Sequence, residues 1–194
     1  MLQNKLPTKL ILIGASTGGP GLIAKIISSL CPPKKESIVI ALHMDPLGLS
    51  SYAKRLSELC GYSVNLVTKD HCALTSGKLY LLSATFSIEE KKGSLFFKKT
   101  DRNKSFYNPT IDTLFASANS LSSVKIAAYL LSGIGEDGAK GLSTLQNAGH
   151  KAIAQDEHSS IVYGMPKKAY ELNNDIQVLS IDEIIQDIQR ELKC

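Results

Sequence analysis

The feature that most constrains this chain is an apolar run that ends in a glycine-framed serine turn. Residues 10–13 (LILI) have the composition of a buried β-strand, and residues 14–18 (GASTG) follow directly. The spacing G-x-S-x-G is typical of a serine hydroxyl held exposed on a tight strand-to-helix turn. Plain βα connections and phosphate-binding loops use similar turns. The motif alone therefore leaves a structural turn and a nucleophile as equal alternatives.

Short apolar runs alternate with helical patterns along the chain, which predicts an α/β fold. We expect a doubly wound, mostly parallel sheet with helices on both faces. The predicted strands are 10–13, 37–42, 64–67, 79–82, 125–131 and 151–154, and the predicted helices are 21–30, 49–59, 110–120, 137–148 and a C-terminal segment with Ile181, Ile184, Ile185, Ile188 and Leu192 on one face. Residues 86–90 and 95–99, joined by a turn at Gly93, predict an antiparallel hairpin. With 194 residues and no repeat or linker, one domain is expected over 9–194, after a short leader at 1–8.

Composition argues against several functional classes. The net charge of +4 is mild, tryptophan is absent and aromatic residues make up 6%, so no nucleic-acid partner is expected. Cys31, Cys60, Cys72 and Cys194 have no metal-like spacing and are interpreted as reduced thiols of a cytoplasmic protein. No signal-peptide pattern or segment of membrane-spanning length is present, so membrane insertion is not expected.

Three residues suited to nucleophilic catalysis each follow a predicted strand. Ser16 follows the first strand, His43 the second, and Asp137 comes after strand 125–131. In parallel α/β sheets, ligands bind beyond the carboxyl ends of the strands, where the strand order reverses. We therefore expect these side chains to converge as nucleophile, base and orienting carboxylate. Their chain order, Ser-His-Asp, differs from the Ser-Asp-His order of α/β-hydrolases, so the same geometry would stand on another topology.

Each of the three also has a purely structural interpretation. Asp137 stands where it would cap helix 137–148, and His43 would serve as a structural histidine at the end of a buried strand. His43 and Asp45 would share a face as metal ligands, although no third ligand has a suitable spacing. The serine turn would alternatively hold a phosphate at a helix N-terminus in a non-catalytic nucleotide-binding module. That turn lacks the lysine of a P-loop, and His43 replaces the acidic residue expected for ribose binding.

Further blocks, in order along nearly the whole chain, add a more specific signal. They are 14–20 (GASTGGP), 40–44 (IALHM), 108–115 (NPTIDTLF), 131–139 (LSGIGEDGA) and 154–157 with 162–166 (AQDE, VYGMP). Together they resemble the signature motifs of the chemotaxis-receptor methylesterase domain of the CheB family. The resemblance implies a doubly wound α/β domain that hydrolyses glutamyl methyl esters on methyl-accepting chemotaxis receptors and deamidates certain receptor glutamines.

The resemblance also implies residue roles. By position within the blocks, the nucleophile is Ser16, the base His43 and the carboxylate Asp137. Thr17 falls where a backbone amide stabilises the oxyanion, and Ile134 falls beside the active site at a position usually filled by methionine. No cofactor or metal is implied. Two further departures are Leu42, where the family usually has glutamine, and Asn108, where it usually has arginine.

The implied partner is the cytoplasmic helical region of the receptors, which predicts a shallow active-site mouth. The hairpin around Gly93 and the segment 101–108 are candidate receptor contacts. Many family members carry an N-terminal receiver domain, whereas the expected leader, 1–8, is too short for one. Control by an attached receiver is therefore not expected, which leaves room for a regulatory partner in trans. Hydrolysis of an unrelated small ester by the same triad remains an alternative function.

Overall fold

Strands and helices alternate along the chain, as the sequence predicts. The computed structural model describes residues 5–100 and 107–194. The strands are β1 (Lys9–Ala15), β2 (Glu36–Leu42), β3 (Val64–Val67), β4 (Cys72–Leu74), β5 (Lys78–Leu82), β6 (Phe86–Lys91), β7 (Ser94–Lys99), β8 (Lys125–Leu130), β9 (Lys151–Gln155) and β10 (Gln177–Leu179). The helices are α1 (Gly19–Ser28), α2 (Pro46–Cys60), α3 (Ile111–Ala118), α4 (Ala139–Asn147), α5 (Met165–Leu172) and α6 (Ile181–Leu192).

The central sheet has seven strands in the order β10-β9-β8-β1-β2-β5-β3, and every neighbouring pair is parallel. The chain order reverses at β1, which lies between β8 and β2. In the register of these three strands, Ile13 stands beside Ile40 on one side and Tyr129 on the other. The carboxyl end of β1 is therefore the topological switch point, where open α/β sheets bind their ligands.

Helices cover both faces of this sheet because successive strand residues point to opposite sides. Leu10 and Leu12 of β1 belong to the hydrophobic cluster beneath α3, α4 and α5. Ile11 and Ile13 belong to the opposite cluster, beneath α1, α2 and α6. The predicted doubly wound, mostly parallel α/β fold is confirmed.

The predicted hairpin is confirmed, but it is part of a larger element. β6 and β7 pair antiparallel, and the turn between them places Lys92 at φ 50° and Gly93 at φ 70°. A third strand, β4, pairs with β7 and completes a small antiparallel sheet in the order β4-β7-β6. Phe86 and Phe97 anchor this sheet to the same hydrophobic cluster as α3.

Several predicted boundaries differ from the structure. Helix α2 begins at Pro46 rather than at 49, because Oδ1 of Asp45 accepts a hydrogen bond from the Leu47 amide (2.9 Å) and caps the helix. Helix α4 begins at Ala139 rather than at 137, with Gly138 as its N-cap at φ 88°. Helix α5 and the three-residue strands β4 and β10 were not predicted from the sequence.

The expectation of four reduced thiols is wrong for one pair. Cys31 and Cys194 form a disulfide, with their Cα atoms 5.6 Å apart. The end of α6 returns beside the end of α1, which brings together two residues 163 positions apart in sequence. Cys60 and Cys72 are free.

In the part of the chain that the structure describes, no helix is both long and apolar enough to cross a membrane.

Candidate active site

Ser16 lies one residue beyond β1, in the turn that leads into α1. Its amide donates to the carbonyl oxygen of Ser132 (3.0 Å), and its own carbonyl accepts from the Gly19 amide (2.7 Å). Gly18 has φ 81°, and a Cβ atom there would lie 2.7 Å from Cδ1 of Ile161. Because both the backbone angle and the close neighbour favour glycine, the turn needs Gly18 where the motif has it. The serine therefore stands half-buried at the carboxyl edge of the sheet.

His43 lies on the neighbouring strand, directly beside the serine turn. Its amide donates to the carbonyl oxygen of Ala15 (3.0 Å), which extends the β1–β2 pairing by one residue. The ring stacks on Tyr107 with a centroid distance of 4.7 Å and an interplanar angle of 12°. Its Nε2 lies 2.7 Å from Oδ2 of Asp137. Because an ionised carboxylate only accepts hydrogen bonds, this contact assigns the ring proton to Nε2 and the lone pair to Nδ1.

Asp137 is buried, with 3% of its surface exposed, and each carboxylate oxygen has a backbone donor. Oδ2 accepts from the Ile111 amide (2.8 Å), and Oδ1 accepts from the Asp112 amide (3.1 Å). Both amides belong to the first turn of α3, where the helix dipole favours negative charge. The alternative that Asp137 caps its own helix is wrong, because it caps the neighbouring helix α3 while it contacts His43.

Helices α3 and α4 cap each other: an aspartate associated with each helix accepts hydrogen bonds from amides of the other. Asp137 precedes α4 and caps α3, whereas Asp112 lies in α3 and accepts from the Gly141 amide of α4 (2.7 Å). Burial raises the pKa of the Asp112 carboxyl, the Gly141 hydrogen bond opposes that shift, and the nearby charge of Asp137 adds to it. Asp112 lies in the block 108–115, and no role for it was predicted. Its position in the first turn of a helix was the available signal.

Two backbone amides in the segments around Ser16 have no acceptor among the described residues. Among residues 5–100 and 107–194, neither the Thr17 amide nor the Ile134 amide donates a hydrogen bond. Thr17 is exposed, and Ile134 has 62% of its surface exposed. Gly133, which precedes Ile134, approaches the serine so closely that a Cβ atom there would lie 2.6 Å from Cβ of Ser16. Thr17 and the segment that carries Ile134 therefore flank Ser16.

The structure brings the three predicted side chains to one edge of the sheet, but their contacts are unequal. His43 and Asp137 are hydrogen-bonded, and Ser16 adjoins His43 through the backbone. Across the described part of the chain, no hydrogen bond joins the Ser16 hydroxyl to the His43 ring. Catalytic hydrogen bonds are often long without substrate and tighten in the Michaelis complex.

The departures from the family pattern have local explanations. Leu42 is fully buried beneath the start of α1, where its Cδ1 would lie 2.8 Å from a Cβ atom on Gly19. Oδ1 of Asn108 accepts from the Thr85 amide (3.2 Å), which ties the segment before α3 to the start of β6. Of the candidate receptor contact 101–108, residues 101–106 lie outside the described residues.

The site lies in a sequence that matches a known family model. The model described as CheB methylesterase matches residues 11–188. The chain belongs to the CheB methylesterase family. It is 33% identical over 202 residues to protein-glutamate methylesterase/protein-glutamine glutaminase 3 of Burkholderia lata, and the alignment covers 99% of this chain and 54% of that protein. A protein of the same name from Halalkalibacterium halodurans is 32% identical over 198 residues, with 99% and 57% covered.

The fold agrees with a solved structure of the CheB family. The crystal structure of the CheB methylesterase catalytic domain from Thermotoga maritima superposes with a TM-score of 0.84 at 28% sequence identity. The superposition covers 95% of this chain and 99% of that domain. The chain spans about half the length of the curated relatives it matches. The predicted CheB resemblance is confirmed, and it extends over the elements that carry Ser16, His43 and Asp137.

Proposed function

We propose that this chain is a protein-glutamate methylesterase that also deamidates specific glutamines. Its substrates are side chains on the cytoplasmic helical region of methyl-accepting chemotaxis receptors. The observation that carries the proposal is the 2.7 Å contact between His43 and the anchored, buried carboxylate of Asp137, beside the Ser16 turn. Membership of the CheB family and the names of the relatives support the choice of substrate.

The proposed first step is acyl transfer to Ser16. The Oγ atom attacks the carbonyl carbon of the glutamyl methyl ester while Nδ1 of His43 removes the hydroxyl proton. Asp137 holds Nε2–H and stabilises the imidazolium that forms. The tetrahedral intermediate then collapses, the carbon–methoxy oxygen bond breaks, and His43 returns the proton so that methanol leaves. The product of this step is a glutamyl ester of Ser16.

Water completes the reaction by the same route in reverse. His43 removes a proton from the attacking water, the acyl–oxygen bond to Ser16 breaks as His43 returns that proton to Oγ, and a receptor glutamate is released. With a glutamine substrate, ammonia leaves in place of methanol. Because an amine is the poorer leaving group, this reaction depends more strongly on proton donation from His43.

The oxyanion would form between the Thr17 and Ile134 amides. Neither amide donates to any residue that the structure describes, and both lie in segments beside Ser16, as an oxyanion hole requires. Neither donor depends on the side chain, so isoleucine at position 134 retains the amide that methionine provides in the family. The isoleucine side chain instead shapes the wall of the mouth.

The mouth is open enough for a side chain on a large protein. Ile134 and Ile161 lie on two loops and Leu47 lies at the start of α2, and these side chains have 62%, 66% and 91% of their surfaces exposed. Ile161 contacts Gly18 of the serine turn, and Leu47 lies in the first turn of α2, which follows His43. These apolar side chains support a receptor helix as the occupant rather than a small ester in a closed pocket.

We place this activity in the cytoplasm, because the proposed substrate region of the receptors lies there. Only Cys60 and Cys72 remain as free thiols in support of that location, because Cys31 and Cys194 form a disulfide. We propose that residues 9–194 act as a single catalytic unit.

An activity-based probe tests the proposed function. A fluorophosphonate reagent should label the purified protein, and peptide mapping should place the adduct on Ser16. The His43→Gln variant should label far more slowly, because the base that activates Ser16 is lost. A phosphate-binding module would not be labelled. Comparing a small model ester with methylated receptor then separates receptor specificity from general esterase activity.

A further inference from the structure

Ser132 is a fully buried polar residue that the proposed mechanism does not use. It lies two residues beyond β8, at the edge of the sheet that carries Ser16, and none of its surface is exposed. Burying a hydroxyl is costly unless the hydroxyl is hydrogen-bonded. At Ser132 the amide, the carbonyl and the hydroxyl all have protein partners.

The contacts of Ser132 converge on the turn that carries the nucleophile. Its carbonyl oxygen accepts from the Ser16 amide (3.0 Å). Its hydroxyl lies 2.8 Å from the carbonyl oxygen of Thr17 and 3.3 Å from that of Val162, and it accepts from the Val162 amide (2.8 Å). A hydroxyl has one proton to donate, and the shorter contact assigns that proton to the Thr17 carbonyl.

Ser132 is itself held from the neighbouring strand. Its amide donates to Oε1 of Gln155 (2.9 Å), a residue with no exposed surface at the end of β9. Nε2 of Gln155 donates in turn to the carbonyl oxygen of Ser159 (2.8 Å). The hydroxyl of Ser132 therefore projects from a backbone position that is fixed on two sides.

These contacts restrain the direction of the Thr17 amide, together with the Gly19 amide, which donates to the Ser16 carbonyl in the same peptide plane (2.7 Å). The peptide plane between Ser16 and Thr17 lies between two anchors, the Ser16 amide and the Thr17 carbonyl, and both anchors are bonded to Ser132. The second anchor also sets the backbone entering Gly18, which has φ 81°. Ile134, whose amide likewise has no acceptor among residues 5–100 and 107–194, lies two residues after Ser132. Ser132 thus links the two segments that carry the Thr17 and Ile134 amides.

We propose that Ser132 is a positioning residue whose hydroxyl aims the Thr17 amide at the oxyanion that forms on the substrate. This inference rests on the proposed function, because it concerns the hydrolysis at Ser16. Outright loss of an oxyanion donor costs on the order of 10²–10³ in rate. A donor that is present but poorly aimed should cost less, so Ser132→Ala is expected to lower kcat about 10-fold to 100-fold. KM should change less than about twofold, because the ground-state carbonyl does not need this donor.

The experiment compares Ser132→Ala with a matched variant at the opposite edge of the sheet. Ser37 is also fully buried, and its hydroxyl also donates to a backbone carbonyl, that of Thr75 (2.8 Å). Ser37→Ala therefore removes a similar hydrogen bond far from the nucleophile. For each protein we would measure the rate of fluorophosphonate labelling, and kcat and KM for methanol release from methylated receptor. Active sites are titrated by saturating labelling, so that loss of folded protein does not lower kcat.

Two further variants separate the hydroxyl from the fold. Ser132→Thr retains a hydroxyl that can donate to the Thr17 carbonyl, so its kcat should lie within about threefold of the wild type. Ser132→Cys has nearly the same size but is a weaker donor. If Ser132→Ala does not fold, the cysteine variant takes its place and should also lower kcat and the labelling rate.

The outcomes distinguish this inference from the function on which it rests. If the wild type is not labelled at Ser16, the proposed function fails. If the wild type is labelled, loss of kcat in Ser132→Ala but not in Ser37→Ala supports the positioning role. Equal kcat in Ser132→Ala and Ser37→Ala, or a change confined to KM, would overturn it and leave the proposed function standing. Full kcat in Ser132→Cys would overturn it as well.

Discussion

The two edges of the central sheet use polar residues in opposite ways. At the carboxyl edge, three polar groups form no hydrogen bond with any described residue: the Ser16 hydroxyl and the amides of Thr17 and Ile134. At the amino edge, Lys9 and Lys151 both form ion pairs with Glu191 of α6. The three groups at the carboxyl edge remain available to a bound molecule, whereas the two lysines at the amino edge are paired within the protein.

The amino-edge network explains how α6 is fastened to the sheet. Asp187 is buried and accepts from the Tyr129 hydroxyl (2.7 Å), Lys151 (2.9 Å) and Arg190 (3.0 Å). Burial alone would raise the pKa of Asp187, but these hydrogen bonds outweigh it and hold the pKa below its ordinary value. Burial lowers the pKa of Lys9, and the nearby charges of Lys151 and Lys125 lower it further.

A buried aspartate has different consequences at the two edges of the sheet. Asp137 and Asp187 are both buried aspartates with several donors, and both tie separate elements together. Only Asp137 faces a histidine beside a serine. Substitution of Asp137 should therefore affect the chemistry first, and substitution of Asp187 should affect the fold.

The largest effect is expected at Asp137. In Asp137→Asn, an amide oxygen that accepts from the Asp112 amide turns the NH2 group towards Nε2 of His43, so the residue neither stabilises the imidazolium nor favours the Nε2–H tautomer. We expect kcat to fall on the order of 10⁴-fold. The free energy of unfolding should fall by only about 1 kcal/mol, since one amide of α3 loses its acceptor while the other keeps it. Steady-state methanol release and urea unfolding measure the two quantities; a kcat near wild type would remove Asp137 from the mechanism.

The matched substitution at the other edge is Asp187→Asn. Removing this carboxylate leaves Lys151 and Arg190 without their buried partner, although both are partly exposed and can be solvated. We expect the free energy of unfolding to fall by about 2 kcal/mol, less than for a fully buried pair. Values of kcat per active site should stay within about twofold of the wild type, because the residue is remote from Ser16. A large loss of kcat without loss of stability would contradict the division between the two edges.

The same residue predicts a pH dependence of stability. Because the folded-state pKa of Asp187 lies below its ordinary value, its contribution is fully present above about pH 4. The contribution is lost as the pH falls through the lower, folded-state pKa. Urea unfolding of the wild type and of Asp187→Asn should therefore give stabilities that converge as the pH is lowered below 4. A constant difference in the free energy of unfolding between the two proteins across that range would show that ionisation of the Asp187 carboxyl does not stabilise the fold.

The smallest effect is expected at Asp112, which supports the carboxyl edge without touching His43. Asp112→Ala removes the cap on the Gly141 amide, so the free energy of unfolding should fall by about 1 kcal/mol. Since α4 then holds the loop that carries Asp137 less firmly, kcat should fall by less than about 10-fold. Asp112→Asn keeps an acceptor for Gly141 and should recover both values. Failure of the asparagine variant to recover them would show that the charge of Asp112, not its hydrogen bond, is required.

The alternation of elements was predictable from sequence because it rests on local composition. The apolar run before Ser16 and the glycine turn after it define a strand end, and His43 and Asp137 follow strand ends in the same way. Convergence at one edge then follows from the parallel topology. The doubly wound fold was predicted from the alternation of strands and helices. The juxtaposition of Ser16, His43 and Asp137 was predicted from the parallel topology.

The contacts that support the site were not predictable in the same way. Capping rules consider a residue and its own helix, so they could not show that Asp137 caps α3 while Asp112 caps α4. The roles of Ser132 and Gln155 depend on which loops meet at the switch point. The Cys31–Cys194 pairing depends on the return of α6 beside α1. Short elements such as β4 and β10 carry too few residues to show a period.

The most direct test of the account is methanol release from methylated chemoreceptor membranes by the wild type and by Ser16→Ala. Removing the nucleophile of a serine hydrolase can lower kcat by about 10⁶-fold. The account predicts release by the wild type and release at the uncatalysed background by the variant. Equal release by both proteins would show that Ser16 is only a turn residue. Absence of release from both would contradict hydrolysis of the receptor methyl ester by this chain acting alone.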